Sequence, residues 1–312
     1  MLRPLRFVAI FGLLTPSFIS QAQLAERFRA EKVQFLGQPT AVPSFSVEER
    51  QALAAYNYIF IDGLLGDLTR DLYQQVVPYL RAQLAVELRV LRPSSLNSAS
   101  ANVAYLRNEL RKSSISKPNI VIAHSAGAAE LFLALLENPE LFERARIEKV
   151  IFVQGAFSGS PLAEWAYSFL SRGCAEFVRK ALPTPCGLAS IFAKSAHSLL
   201  PEVAIGHRVP LQRKLGAADQ ALFQERAFFV RSRSTPSDTQ MALKASSLYL
   251  KRYYNGFHND GILLTLHQRV RGFGQDLGVL DADHLSLLGN SKNTDSAQIP
   301  FVRALLLEIL AP

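Results

Sequence analysis

Cysteine is scarce in this sequence: 312 residues hold only Cys174 and Cys186. No cysteine or histidine cluster has zinc-ligand spacing, so no metal site is expected. Charge is sparse too. Charged residues make up 19% against 49% hydrophobic, with no low-complexity tract and no repeat at solenoid spacing. That balance excludes a disordered chain and leaves a packed globular one, long enough for a full core. Also missing is a basic stripe interleaved with aromatics, so no nucleic-acid partner is expected despite a net charge of +8 and a pI near 9.6. The excess of cations reads first as a self-repelling soluble surface, and more sharply as attraction to anionic lipid or a bacterial envelope.

The N-terminus looks like an address. Arg3 and Arg6 precede an apolar run from Phe7 to Ile19, and Ser20-Gln21-Ala22 follows with small residues at the two positions a signal peptidase reads. The run is short for a bilayer span and contains Gly12 and Pro16. The expectation is a signal peptide over 1–22 and a mature chain over 23–312, periplasmic or secreted. In an exported chain Cys174 and Cys186 can form a disulfide worth about 3 kcal/mol, the alternative being two buried thiols.

From Tyr56 onward short apolar runs alternate with helical patterns. Tyr58–Ile61, Val86–Leu91, Asn119–Ala123, Lys149–Gln154, Ala227–Val230 and Leu277–Leu280 read as strands. Helices are expected over Leu68–Leu84, Ser98–Lys112, Ala128–Leu136, Met241 to about Tyr254, and Ile299–Leu310. Residues 23 to about 50 are mixed and yield no assignment. Alternation of this kind predicts an α/β fold with a mostly parallel central sheet and helices on both faces. It breaks over 161–216, a largely helical stretch read as a cap or lid insertion. There Trp165, Phe169 and Leu170 share a helix face that core packing or an acyl-binding groove would equally require.

Ser125 stands where a buried strand meets a helix, between Ala123 and Gly127. A sharp strand-to-helix turn raises a serine above a sheet, and small residues two before and two after let that turn pack. Asp62-Gly63-Leu64-Leu65-Gly66 follows an earlier strand. Acyl transfer needs donors for a tetrahedral oxyanion, and the backbone amides of Leu64 and Ala126 are the candidates. Of six histidines, His284 follows the last strand and suits the order serine, acid, histidine. Asp260, in Asn259-Asp260-Gly261, is the candidate acid, with Asp238 its rival. His124 adjoins the serine and is expected to pack or line the turn.

Taken in order, Gly63-Leu64-Leu65-Gly66, Ala123-His124-Ser125-Ala126-Gly127, Gly159-Ser160-Pro161-Leu162-Ala163, Asn259-Asp260-Gly261 and Asp283-His284-Leu285 resemble the bacterial triacylglycerol lipases of the α/β-hydrolase superfamily. The resemblance implies ester hydrolysis through an acyl-enzyme, a Ser125-Asp260-His284 triad, acyl-ester or lipid substrates, contact with a lipid interface, and no cofactor. Two departures stand out. Asp62 occupies a position that is often histidine in that family. Ser286 stands where several of those lipases carry a calcium-binding carboxylate, so no such calcium site is expected.

Overall fold

The computed structural model describes residues 21–37, 44–63, 73, 75–95, 97–113, 116–161, 216–235, 239–288 and 297–310. Six strands form one all-parallel sheet in the order β2-β1-β3-β4-β5-β6: β1 Asn57–Ile61, β2 Leu88–Leu91, β3 Asn119–His124, β4 Ile147–Val153, β5 Ala227–Arg233 and β6 Gln275–Asp281. The described helices are α1 Gln21–Gly37, α2 Val47–Leu53, α3 Val76–Gln83, α4 Ala99–Arg111, α5 Ser125–Glu137, α6 Leu141–Arg144, α7 Ala217–Arg226, α8 Met241–Tyr253 and α9 Gln298–Leu310.

The strands read as continuous apolar runs because both faces of the sheet are covered. Their side chains alternate between two cores. Tyr58, Phe60, Ile120, Ile122, Ile151 and Val153 pack with α1, α2, α3 and α9. Ile59, Ile61, Val121, Ala123, Val150 and Phe152 face the other way, against α4, α5, α6 and α7. In that second core Phe132 of α5 meets Phe152, Phe157, Phe223 and Phe273 at ring-centroid distances of 5.5–5.9 Å, mostly edge to face. Each such pair adds roughly 0.5–1.5 kcal/mol beyond its buried area. The cluster therefore fixes α5, the helix that follows Ser125, against the sheet.

Strand order places the site. From β1 the chain crosses outward to β2, then returns past β1 to β3, and every later crossover runs the other way. β1 and β3 are thus the neighbours at which the winding reverses, and their C-terminal ends open the crevice where ligands bind in such sheets. Asp62-Gly63 leaves β1 there, and Ser125 leaves β3.

All six expected strands occur, with ends shifted by a few residues. Two regions differ from the sequence reading. The stretch that gave no assignment contains α1 and α2. Leu24 and Phe28, four apart, are buried in the first core, whereas Val33 and Leu36 are exposed apolar residues that blur the helical stripe. Helix α1 is held by its contacts with α9: Phe28 on Phe301 edge to face, Arg27 on Glu308 at 2.9 Å, and Arg303 on Glu31 at 2.8 Å. The helix expected over Leu68–Leu84 does not run unbroken: Tyr73 stands in a turn with φ 64°, which a right-handed helix cannot include, and the described helical part is Val76–Gln83. The insertion over 161–216, with Trp165, Phe169, Leu170, Cys174 and Cys186, lies almost wholly outside the described residues.

Candidate active site

Ser125 is held in a left-handed conformation, φ 54°. That costs a non-glycine residue roughly 1–2 kcal/mol and persists only where the surroundings over-determine it. Two glycines supply the room. A Cβ on Gly63 would lie 2.8 Å from the Cβ of Ser125, and one on Gly127 would lie 2.1 Å from the backbone oxygen of Asp62. The loop after β1 and the first turn of α5 therefore touch backbone to backbone. Gly127→Ala is expected to cost about 3 kcal/mol, the upper end of ordinary overpacking, because the atom it meets is main chain and cannot turn aside. A denaturant midpoint equal to that of the parent chain would contradict this.

His284 lies between Ser125 and Asp260. Its Nε2 is 2.8 Å from Ser125 Oγ, and its Nδ1 is 2.7 Å from Asp260 Oδ2. His284 is 3% exposed and Asp260 fully buried. Among the described residues every hydrogen-bond partner of the Asp260 carboxylate is a donor. The amides of Ile262 and Leu263 reach Oδ1 at 3.0 and 2.8 Å, while Gln268 Nε2 at 2.9 Å and the Ser232 hydroxyl at 3.4 Å reach Oδ2. With Oδ2 accepting, Nδ1 of His284 carries the proton, which leaves the Nε2 lone pair for the serine hydroxyl. This is the arrangement that general-base activation of a serine requires.

The chain is then comparable with known proteins. No protein-family model matches it, and no curated protein does. Solved structures do. A metagenomic carboxyl esterase aligns over 92% of this chain and 91% of its own, with a TM-score of 0.63 at 15% identity. A mature Bacillus licheniformis lipase aligns over 81% of this chain and 91% of its own, with a TM-score of 0.52 at 16% identity. The chain has the α/β-hydrolase fold. Among α/β-hydrolases the order serine, acid, histidine along the chain is the usual one, and Ser125, Asp260 and His284 follow it.

Other expectations for a chain of this fold meet the structure unevenly. Ala126 sits in the first turn of α5, where amides have no partner carbonyl within the helix, beside Ser125. Leu64, the other expected oxyanion donor, lies outside the described residues, as does Asp238. Asp62, at the position where a histidine is common, is fully buried and pairs with Arg92 at 3.1 Å. Asp283 is occupied elsewhere. Its Oδ1 accepts from the Leu285 amide and the Ser286 hydroxyl, and its Oδ2 accepts from the Gln240 amide, so it fixes the turn that carries His284.

Sequence reasoning missed the groups that orient the acid and the base. Gln268 is clamped at both ends by Ser232, its Oε1 accepting from the Ser232 amide and its Nε2 donating to the Ser232 carbonyl as well as to Asp260. Gln154, at the end of β4 with φ 50°, donates from Nε2 to Ser232 Oγ and to the Asp283 carbonyl. Its Oε1 lies 3.1 Å from Nε2 of His124. Since Nε2 of Gln154 is committed as donor, His124 donates to its oxygen. The available signal was a polar residue closing the apolar run Val150–Val153.

His124 does more than line the turn. Its ring lies 5.0 Å from that of His284, centroid to centroid. Burial, with His284 beside it, pushes its pKa down to about 3. The unfolded chain therefore takes up a proton here before the native state does, and stability falls as pH drops from about 6.5 toward 3. Between pH 7 and pH 4 the contribution is about 3 kcal/mol. His124→Gln keeps an amide in place of the ring and is expected to flatten that acid-side loss. Urea unfolding of both proteins at the two pH values would reveal it, and an unchanged difference would contradict the assignment.

Proposed function

We propose that this protein is an exported serine hydrolase that cleaves carboxylic esters through an acyl-enzyme, with Ser125 as nucleophile, His284 as general base and acid, and Asp260 orienting His284. The observation that carries the reading is the unbroken hydrogen-bond chain Asp260–His284–Ser125, ending on a serine held in a strained strand-to-helix turn. His284 Nε2 takes the hydroxyl proton as Ser125 Oγ bonds to the ester carbonyl carbon. The developing oxyanion is met by the Ala126 amide and, on the resemblance, by that of Leu64. His284 then protonates the leaving alcohol, and in the second half it deprotonates the water that releases the acid. No step calls for a cofactor.

Similarity of fold to a carboxyl esterase and a lipase supports esters as the substrate class. The test is turnover of p-nitrophenyl esters of several chain lengths by the folded protein, together with mass-spectrometric mapping of a fluorophosphonate adduct. Ester turnover with the adduct on Ser125 is expected. Folded protein that neither turns over an ester nor takes the label would refute the reading.

A further inference from the structure

Away from Ser125, on the same C-terminal rim of the sheet, an open pocket lies between α8 and the loop that returns to Asp260. Lys244, Ser247, Leu248 and Lys251 line it from α8, and Phe257 and His258 close it. The four helix positions recur at three and four, so they share one face. Arg252, four beyond Leu248, flanks that residue on its other side. Leu248 is 63% exposed and Phe257 52%. From Thr239 to Asn259 the chain contains no aspartate or glutamate. Among the described residues Lys244, Lys251 and Arg252 form no ion pair.

Exposed apolar side chains ringed by unpaired cations match a surface in which phosphates lie directly above hydrocarbon. An acidic protein would complement the charges but leave Leu248 and Phe257 without that adjacent apolar layer. We propose that this face of α8, with the Phe257–His258 turn, docks the protein onto an anionic lipid surface. Lys244, Lys251 and Arg252 meet headgroup phosphates while Leu248 and Phe257 enter the acyl boundary. The position suits a protein that works at that surface. The pocket begins at Ser234, just past the end of β5, and includes Asn259, the residue before Asp260. Docking is independent of the hydrolytic reading, because it requires no turnover.

The experiment is co-sedimentation of the mature Ser125→Ala protein, residues 23–312, which cannot consume the lipid, with vesicles of phosphatidylcholine alone or with one-third phosphatidylglycerol. Binding to the anionic vesicles only, weakening with salt, is expected. Each cation near such a surface contributes about fivefold, so Lys244→Gln with Lys251→Gln should weaken partitioning on the order of twentyfold. Leu248→Ser with Phe257→Ser should weaken it as well. Leu248, Lys251 and Phe257 are exposed, Lys244 is half-buried, and none belongs to either core, so on a Ser125-bearing chain both pairs should leave the thermal midpoint and p-nitrophenyl butyrate turnover unchanged. Equal binding to neutral vesicles, no binding to either, or parent-like binding by the variants would overturn the proposal. So would release from the vesicles by millimolar inorganic phosphate at constant ionic strength, which would mark the pocket as a small-anion site.

Discussion

Ser125→Ala is expected to lower ester turnover by on the order of 10⁵–10⁶-fold while changing folding stability by no more than about 1 kcal/mol. The loss is large because the serine is the one group that forms a bond to the substrate. With it gone, His284 has no proton to take, and only substrate binding and the oxyanion donors remain. The cost to the fold is small because the hydroxyl has one partner among the described residues, His284 Nε2, while the turn itself is set by the Gly63 and Gly127 contacts. Turnover of p-nitrophenyl esters and a denaturant titration on the same preparation check both halves. Retained turnover in a stable variant would remove Ser125 from the mechanism.

Asp260→Asn is expected to lower kcat by about 10⁴-fold at neutral pH. Hydrogen bonding fixes which way the new amide points. The amides of Ile262 and Leu263 cannot reverse, so they hold the Asn oxygen at the Oδ1 position. The Asn NH₂ then lands where Oδ2 was, facing His284 Nδ1 and Gln268 Nε2. Gln268 cannot flip to accept, because the Ser232 backbone holds both of its ends. His284 is driven to the tautomer with its proton on Nε2, which offers Ser125 a donor instead of a base. The variant should still fold, with some loss of stability from the clash of two donors. A kcat within tenfold of the parent would show that Asp260 does not orient the base.

These expectations rest on both kinds of information. The strands were legible because each is an apolar run bounded by turn residues, and a sheet buried on both faces leaves that signature whatever its neighbours. Ser125 was legible because local geometry makes it so: a raised serine needs small residues at 123 and 127 wherever the chain folds. His284 and Asp260 followed from chain order. Helix α1 was not legible, since its stability comes from α9, some 270 positions away, through Phe301, Arg303 and Glu308.

What the sequence determined by itself is therefore the alternation that makes a parallel sheet and the short motifs at its strand ends. Tertiary structure decided the rest. Among the described residues it set the carboxylate of Asp260, carried by the loop at 259–263, against Nδ1 of His284, while Asp281 pairs with Arg233 and Asp283 is consumed by its own turn. It also recruited Gln154, Ser232 and Gln268, whose side chains meet only because β4, β5 and the loop before β6 end on one rim of the sheet. Spacing along a chain carries no trace of such a meeting. Hydrogen bonds in a dry interior must be completed by whatever the fold brings near, and that is set by strand order rather than by neighbours in sequence.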